Sequence, residues 1–190
     1  MDRQRPYPLA QEASTIERAL RAARPSAGAT RVLAIDGRSG SGKSTLAAEL
    51  AVRLGGAPVV SLEDLYGGWD GLEDGVLLVR EAVLEPLASG ATAAVPRYDW
   101  HTGAWAAPWS LEPPVELIVE GVGAGALALA PFTSVLVWIE LDEDTRRRNA
   151  LEQRGDRSIY EPHWERWAFQ EEEHYARERT WERAAVRLRG

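Results

Sequence analysis

Between the apolar run Arg31-Val32-Leu33-Ala34-Ile35-Asp36 and the periodic apolar positions Leu46, Ala47, Leu50, Ala51 and Leu54 lies the segment Gly37-Arg38-Ser39-Gly40-Ser41-Gly42-Lys43-Ser44-Thr45. Gly37, Gly42, Lys43 and Ser44 satisfy G-x-x-x-x-G-K-[ST], a pattern that carries a mechanism when it joins a strand to a helix. Both flanks meet that condition. Glycines let the backbone turn tightly, so that successive N–H groups face one concavity, and the positive end of the following helix adds to the attraction for an anion. Gly37, Ser39, Gly40, Ser41, Gly42, Lys43, Ser44 and Thr45 are therefore expected to cradle the phosphates of ATP. Lys43 would reach the β- and γ-phosphates and the Ser44 hydroxyl would ligate Mg²⁺. An incidental glycine-rich turn is the competing reading, and the agreement of strand, loop and helix start outweighs it.

The rest of the chain alternates in the same way. Helical spacing predicts a covering helix from Leu9 to about Ala23, with Ser14 and Glu17 as a capping box, followed by a linker to Gly28. Strands are predicted at Pro58–Leu62, Val115–Gly121, Ser134–Leu141 and Ala184–Leu188, and helices at Val76–Leu87, Asp142–Arg154 and Pro162–Arg183. Glu63–Gly75 and Ala91–Pro114 read as irregular or loop-like segments broken by Gly and Pro. Strands alternating with helices imply a mainly parallel five-stranded sheet flanked by helices, a three-layer α/β P-loop NTPase fold in a single domain over residues 1–190.

Composition narrows the function. A net charge of −7 opposes general binding to nucleic acid. Cysteine is absent, which excludes thiol nucleophiles and zinc–thiolate sites. No stretch of about 20 apolar residues suggests a membrane span, and no apolar leader follows Met1, so a cytoplasmic protein is expected. Glu120 ends the run Leu117-Ile118-Val119 and precedes Gly121. It is the carboxylate expected near the metal or the attacking group.

Four segments resemble the uridine kinase-like branch of P-loop nucleoside and small-molecule kinases. They are Asp36–Thr45, Glu63-Asp64-Leu65-Tyr66, Pro96-Arg97-Tyr98-Asp99-Trp100 and Val119-Glu120-Gly121. The resemblance implies ATP-dependent phosphoryl transfer to a hydroxyl of a small molecule, with Mg²⁺. It also implies a carboxylate after the second strand that takes the hydroxyl proton. Spacing favours Glu63 for that role and residue type favours Asp64, with Asp64 preferred. Tyr66, Tyr98 and Asp99 would lie beside the acceptor, and Trp69 and Trp100 would add flat walls. Arg147, Arg154 and Arg157 resemble lid arginines that close over the transferring phosphate, within a lid at 143–160. His163 and His174 read as surface positions on a Glu-rich helix. A nucleotide-binding regulatory ATPase without a small-molecule acceptor is the alternative function.

Overall fold

A computed structural model of the chain describes residues 9–153 and 161–190. In chain order the elements are α1 (Leu9–Ala22), β1 (Arg31–Asp36), α2 (Lys43–Arg53), β2 (Val59–Ser61), a 3-10 turn (Leu62–Leu65), α3 (Leu72–Val79), a π-helical turn (Arg80–Leu84) and α4 (Glu85–Ala88). There follow β3 (Ala93–Asp99), β4 (Ala104–Leu111), β5 (Glu116–Glu120), a 3-10 segment (Leu127–Phe132), β6 (Val135–Glu140) and α5 (Glu143–Gln153). A short 3-10 turn (Glu161–His163), α6 (Trp164–Glu178), α7 (Thr180–Arg183) and β7 (Val186–Arg189) complete the described residues.

The main sheet has the order β2-β5-β1-β6-β7 and every pairing in it is parallel. β1 lies at its centre because Val32, Leu33, Ala34 and Ile35 form an unbroken apolar run and all of its residues but Arg31 are buried, as a strand covered on both faces requires. Its side chains alternate between two cores. Leu33 and Ile35 face α1 and α2 through Ile16, Leu20, Leu46 and Leu50. Val32 joins Val76, Val79, Leu87, Trp138 and Tyr175 on the opposite face. The three-layer α/β architecture with five parallel strands is the expected one.

Two segments differ from expectation. Glu63–Gly75 is largely ordered: a 3-10 turn follows β2, and α3 begins at Leu72 rather than Val76. Gly75 reads as a breaker in the sequence, but it sits inside α3 because a Cβ there would stand 2.6 Å from the Tyr66 ring. The second is Ala91–Pro114, which contains the antiparallel hairpin β3–β4. Pro96 and Pro108 conceal it, since neither can donate to a ladder, and the register shifts where they occur. Ser14 also departs from its expected cap role: it lies inside α1 and donates to the Ala10 carbonyl. Pro86 cannot supply the N–H its helix turn needs, and the chain widens into the π-helical turn immediately before α4.

Candidate active site

The carboxyl ends of the parallel strands form the working edge of the sheet, where open α/β sheets place their ligands. β1 delivers the glycine-rich loop there. Gly40 has φ +76° and Gly42 +94°, values that side-chain-bearing residues rarely adopt. Gly42 caps α2 without any side-chain hydrogen bond, so the first amides of that helix, on Lys43, Ser44 and Thr45, are directed into the loop. Space is as restricted as conformation: a Cβ on Gly37 would stand 2.4 Å from the Ile139 carbonyl oxygen, and one on Gly40 would stand 2.0 Å from that of Arg146. Lys43 is buried and its Nζ donates to the Arg38 carbonyl at 3.1 Å, which lays the ammonium along the loop.

Ser44 Oγ donates to Glu120 Oε1 at 3.2 Å, and Ser61 Oγ donates to the same oxygen at 2.8 Å. Glu120 is only 3% exposed. Burial raises its pKa above the ordinary carboxylate range, the Lys43 charge opposes that rise, and the Glu63 charge adds to it. A hydroxyl and a carboxylate in contact at the mouth of a phosphate loop suit Mg²⁺, which takes one or two protein oxygens and leaves its other positions to water and phosphate. The donor set therefore fits the expected ion.

Ser61 ends β2, and the 3-10 turn after it separates the two acidic candidates. Glu63 lines the same hollow as Gly40, Gly42, Lys43, Ser44, Thr45 and Ala150. Asp64 is exposed and outside that lining; partial desolvation raises its pKa first, the Glu63 charge second, and Arg97 opposes both. Of the two candidates, Glu63 is the carboxylate that lines the hollow beside the cradle, whereas Asp64, the one preferred from residue type, lies outside it. Trp100 Nε1 donates to the Glu63 carbonyl at 2.9 Å and docks the hairpin on this turn.

The hairpin brings aromatic side chains together with the loop after Tyr66. Trp69 lies 4.9 Å from Trp100 and stacks on His163 at 4.5 Å, while Tyr98 meets Trp100 and Trp105 edge to face, each at 5.3 Å. Trp69, Tyr98 and Trp100 thus form one wall. Two residues expected at the acceptor do not face it. Tyr66 is buried, and its hydroxyl donates to the Val122 carbonyl at 2.7 Å, which makes it a strut beneath the site. Asp99 accepts the backbone N–H groups of His101 and Thr102 and so closes the hairpin turn; the His101 amide is the main reason its pKa is lowered.

Helices α5 and α6 close over the first half of the phosphate loop. Arg146 donates to the Ser39 carbonyl at 3.4 Å and Asn149 Nδ2 to the Gly40 carbonyl at 3.0 Å. From α6, Glu171 accepts the Ser39 amide at 2.8 Å, and Trp167 Nε1 donates to Ser39 Oγ at 3.0 Å. Among the described residues of α5, Arg146 is the arginine that reaches the loop, whereas the expected Arg147 is exposed. Arg154 and Arg157 lie outside the described residues.

Compared with solved structures, the chain superposes on a candidate uridine kinase from Bacillus stearothermophilus with a TM-score of 0.68 and 21% identity, covering 96% of this chain and 100% of that one. The fold is that of the P-loop kinases. A candidate fructose transport system kinase from Silicibacter sp. TM1040 gives a TM-score of 0.60 at 22% identity, over 97% of this chain and 99% of that one. No protein-family profile and no curated relative matches the sequence. The P-loop kinase fold thus rests on the superposition over nearly the whole chain, and the site rests on the contacts described above.

Three participants escaped sequence reasoning. Asp36 is wholly buried and accepts the amides of Gly37, Gly123 and Gly125 together with the Tyr175 hydroxyl. Arg146 and Glu171 are the others. A sign of Glu171 was present: it shares the buried stripe Trp164, Trp167, Glu171, His174 and Tyr175 on α6, and a carboxylate inside such a stripe needs a partner. His174, expected at the surface, is 1% exposed and its Nδ1 pairs with Glu73 at 2.8 Å. It turns inward because it occupies that same stripe.

Proposed function

We propose that the protein transfers the γ-phosphoryl group of ATP to a hydroxyl of a small molecule. The observation that carries this reading is that a carboxylate, Glu63, shares one hollow with the phosphate-binding residues Gly40, Gly42, Lys43, Ser44 and Thr45. Loop amides and Lys43 hold the polyphosphate and offset the charge that grows on the leaving oxygen. Ser44 and Glu120 would hold Mg²⁺, which would supply further charge neutralisation when bound. Glu63 accepts the proton of the acceptor hydroxyl as its oxygen bonds to the γ-phosphorus and the bond to the β–γ bridging oxygen breaks, leaving ADP. Holding the hydroxyl in line is the aromatic wall's task. Trp69, Tyr98 and Trp100 offer it a flat, rigid surface, which suits an acceptor with an apolar face.

The test is turnover. Purified protein with ATP and Mg²⁺ is screened against nucleosides, sugars, sugar acids and vitamin alcohols, and a phosphorylated product from at least one class is expected. Lys43→Ala should abolish that product while circular dichroism shows an intact fold. Undiminished turnover by the variant, or ATP hydrolysis that no acceptor accelerates, removes the reading.

A further inference from the structure

Ser39 is held by side chains at all three of its polar groups. Its amide donates to Glu171 at 2.8 Å, its Oγ accepts from Trp167 at 3.0 Å, and its carbonyl accepts from Arg146 at 3.4 Å. The three grips are themselves connected. Trp167 Nε1 also lies 3.0 Å from Glu171 Oε1, and Arg146 Nη1 stands 4.0 Å from Glu171 Oε2. Glu171 is therefore the centre of the arrangement, and it is 1% exposed. A carboxylate removed this far from water is retained at substantial cost unless donors surround it, as they do here.

A carboxylate beside a loop built to attract anions ought to compete with the anion. Its acceptor oxygen, however, takes an amide that precedes the nest formed by Gly40 to Thr45. On the reading that this nest binds ATP, we infer that Glu171 is a positioning residue of the phosphate cradle. It fixes the Ser39 peptide so that the Gly40 turn and the amides after it converge, and it steadies Arg146 at the rim. The effect is transmitted by a hydrogen bond of one particular reach, not by charge at a distance. Glu172, one residue on, ties Arg38 to the same helix at 2.6 Å, so α6 restrains two successive residues of the loop.

Two conservative variants separate reach from charge. Glu171→Gln keeps an oxygen at the same distance and removes the charge; Glu171→Asp keeps the charge and withdraws it by one methylene. Calorimetry with Mg²⁺ and either ATP or inorganic tripolyphosphate reads the cradle with and without a nucleoside. Glu171→Gln should bind both within about threefold of the wild type, and Glu171→Asp at least tenfold more weakly, with the two probes affected alike. Wild-type affinity in both variants, or weaker binding by Glu171→Gln than by Glu171→Asp, overturns the inference. A helix packing role alone would lower the melting temperature of the variants without changing probe affinity below it, and that result also overturns it. If the wild type binds neither probe, the kinase reading itself fails and the inference falls with it, an outcome distinct from the others.

Discussion

Two carboxylates near the cradle differ in what their surroundings allow them to do. Glu63 lines the hollow while Asp64 faces solvent beside Arg97, so their amides should separate the roles. Glu63→Gln is expected to lower kcat by about 10²-fold or more, the usual contribution of a positioned general base, while Asp64→Asn changes it less than about threefold. Single-turnover phosphoryl transfer checks both. Glu120 makes a pH prediction of definite sign. Burial raises its pKa above 4.5, so the folded chain holds its proton to higher pH than the unfolded chain does. In metal-free protein its contribution to stability is thus greatest below the ordinary carboxylate range and is lost as pH rises through the raised value. Glu120→Gln should remove that loss, seen as a higher melting temperature at neutral pH, and should weaken Mg²⁺ binding. In the wild type, Mg²⁺ affinity should fall on acidification at a pH above 4.5, because the ion needs the carboxylate ionised. The cradle and Glu120 were legible from residue order because their neighbours in sequence define their setting. The choice between Glu63 and Asp64 was not, since a single 3-10 turn decides which of two adjacent side chains points inward.

At the scale of elements, loops that look equally glycine-dependent carry different restraints. Gly40 and Gly103 both occupy the left-handed region, at φ +76° and +67°. A Cβ on Gly103 would meet only the Tyr98 hydroxyl, at 3.8 Å, whereas one on Gly40 would be driven into the backbone of α5. Gly103→Ala should therefore cost about 1 kcal/mol of conformational strain. Gly40→Ala should cost about 3 kcal/mol or more and abolish nucleotide binding, because helix and loop cannot both keep their places. Urea denaturation of the two variants provides the comparison. Helices and strands with a clear period were readable in the sequence, including all five parallel strands. The hairpin was not, since prolines in both strands and a largely exposed β4 erase the alternation that marks a half-buried ribbon. Its docking depends on Trp100 reaching a carbonyl 37 positions away, a relation that no local pattern contains.

Across the whole molecule, the two cores meet the active edge at Asp36. Its carboxylate joins the end of β1, the turn after β5 through Gly123 and Gly125, and α6 through Tyr175, at distances of 2.7 to 3.0 Å. These contacts span up to 139 positions, which is why the sequence marked the residue only as the end of a strand and the start of the glycine-rich segment, not as a junction. Asp36→Asn replaces one acceptor oxygen with an NH₂ group that must face an amide donor, and a buried donor left without an acceptor is costly. The variant is expected to lose about 3 kcal/mol, as broken buried charged networks do. Tyr175→Phe removes one donor and leaves the carboxylate with its three amides, so about 1 kcal/mol is expected. If Asp36 acts as a junction and not as an isolated buried group, the two changes should not add: once the acceptor is a neutral amide, removing the tyrosine hydroxyl should cost less than it does in the wild type. A double-mutant cycle by chemical denaturation measures that coupling. Additive losses would mean that the Tyr175 hydroxyl does not couple α6 to the carboxylate, and that this part of the helix is held by Trp167 and Tyr175 packing against Trp69, Tyr66 and Trp138.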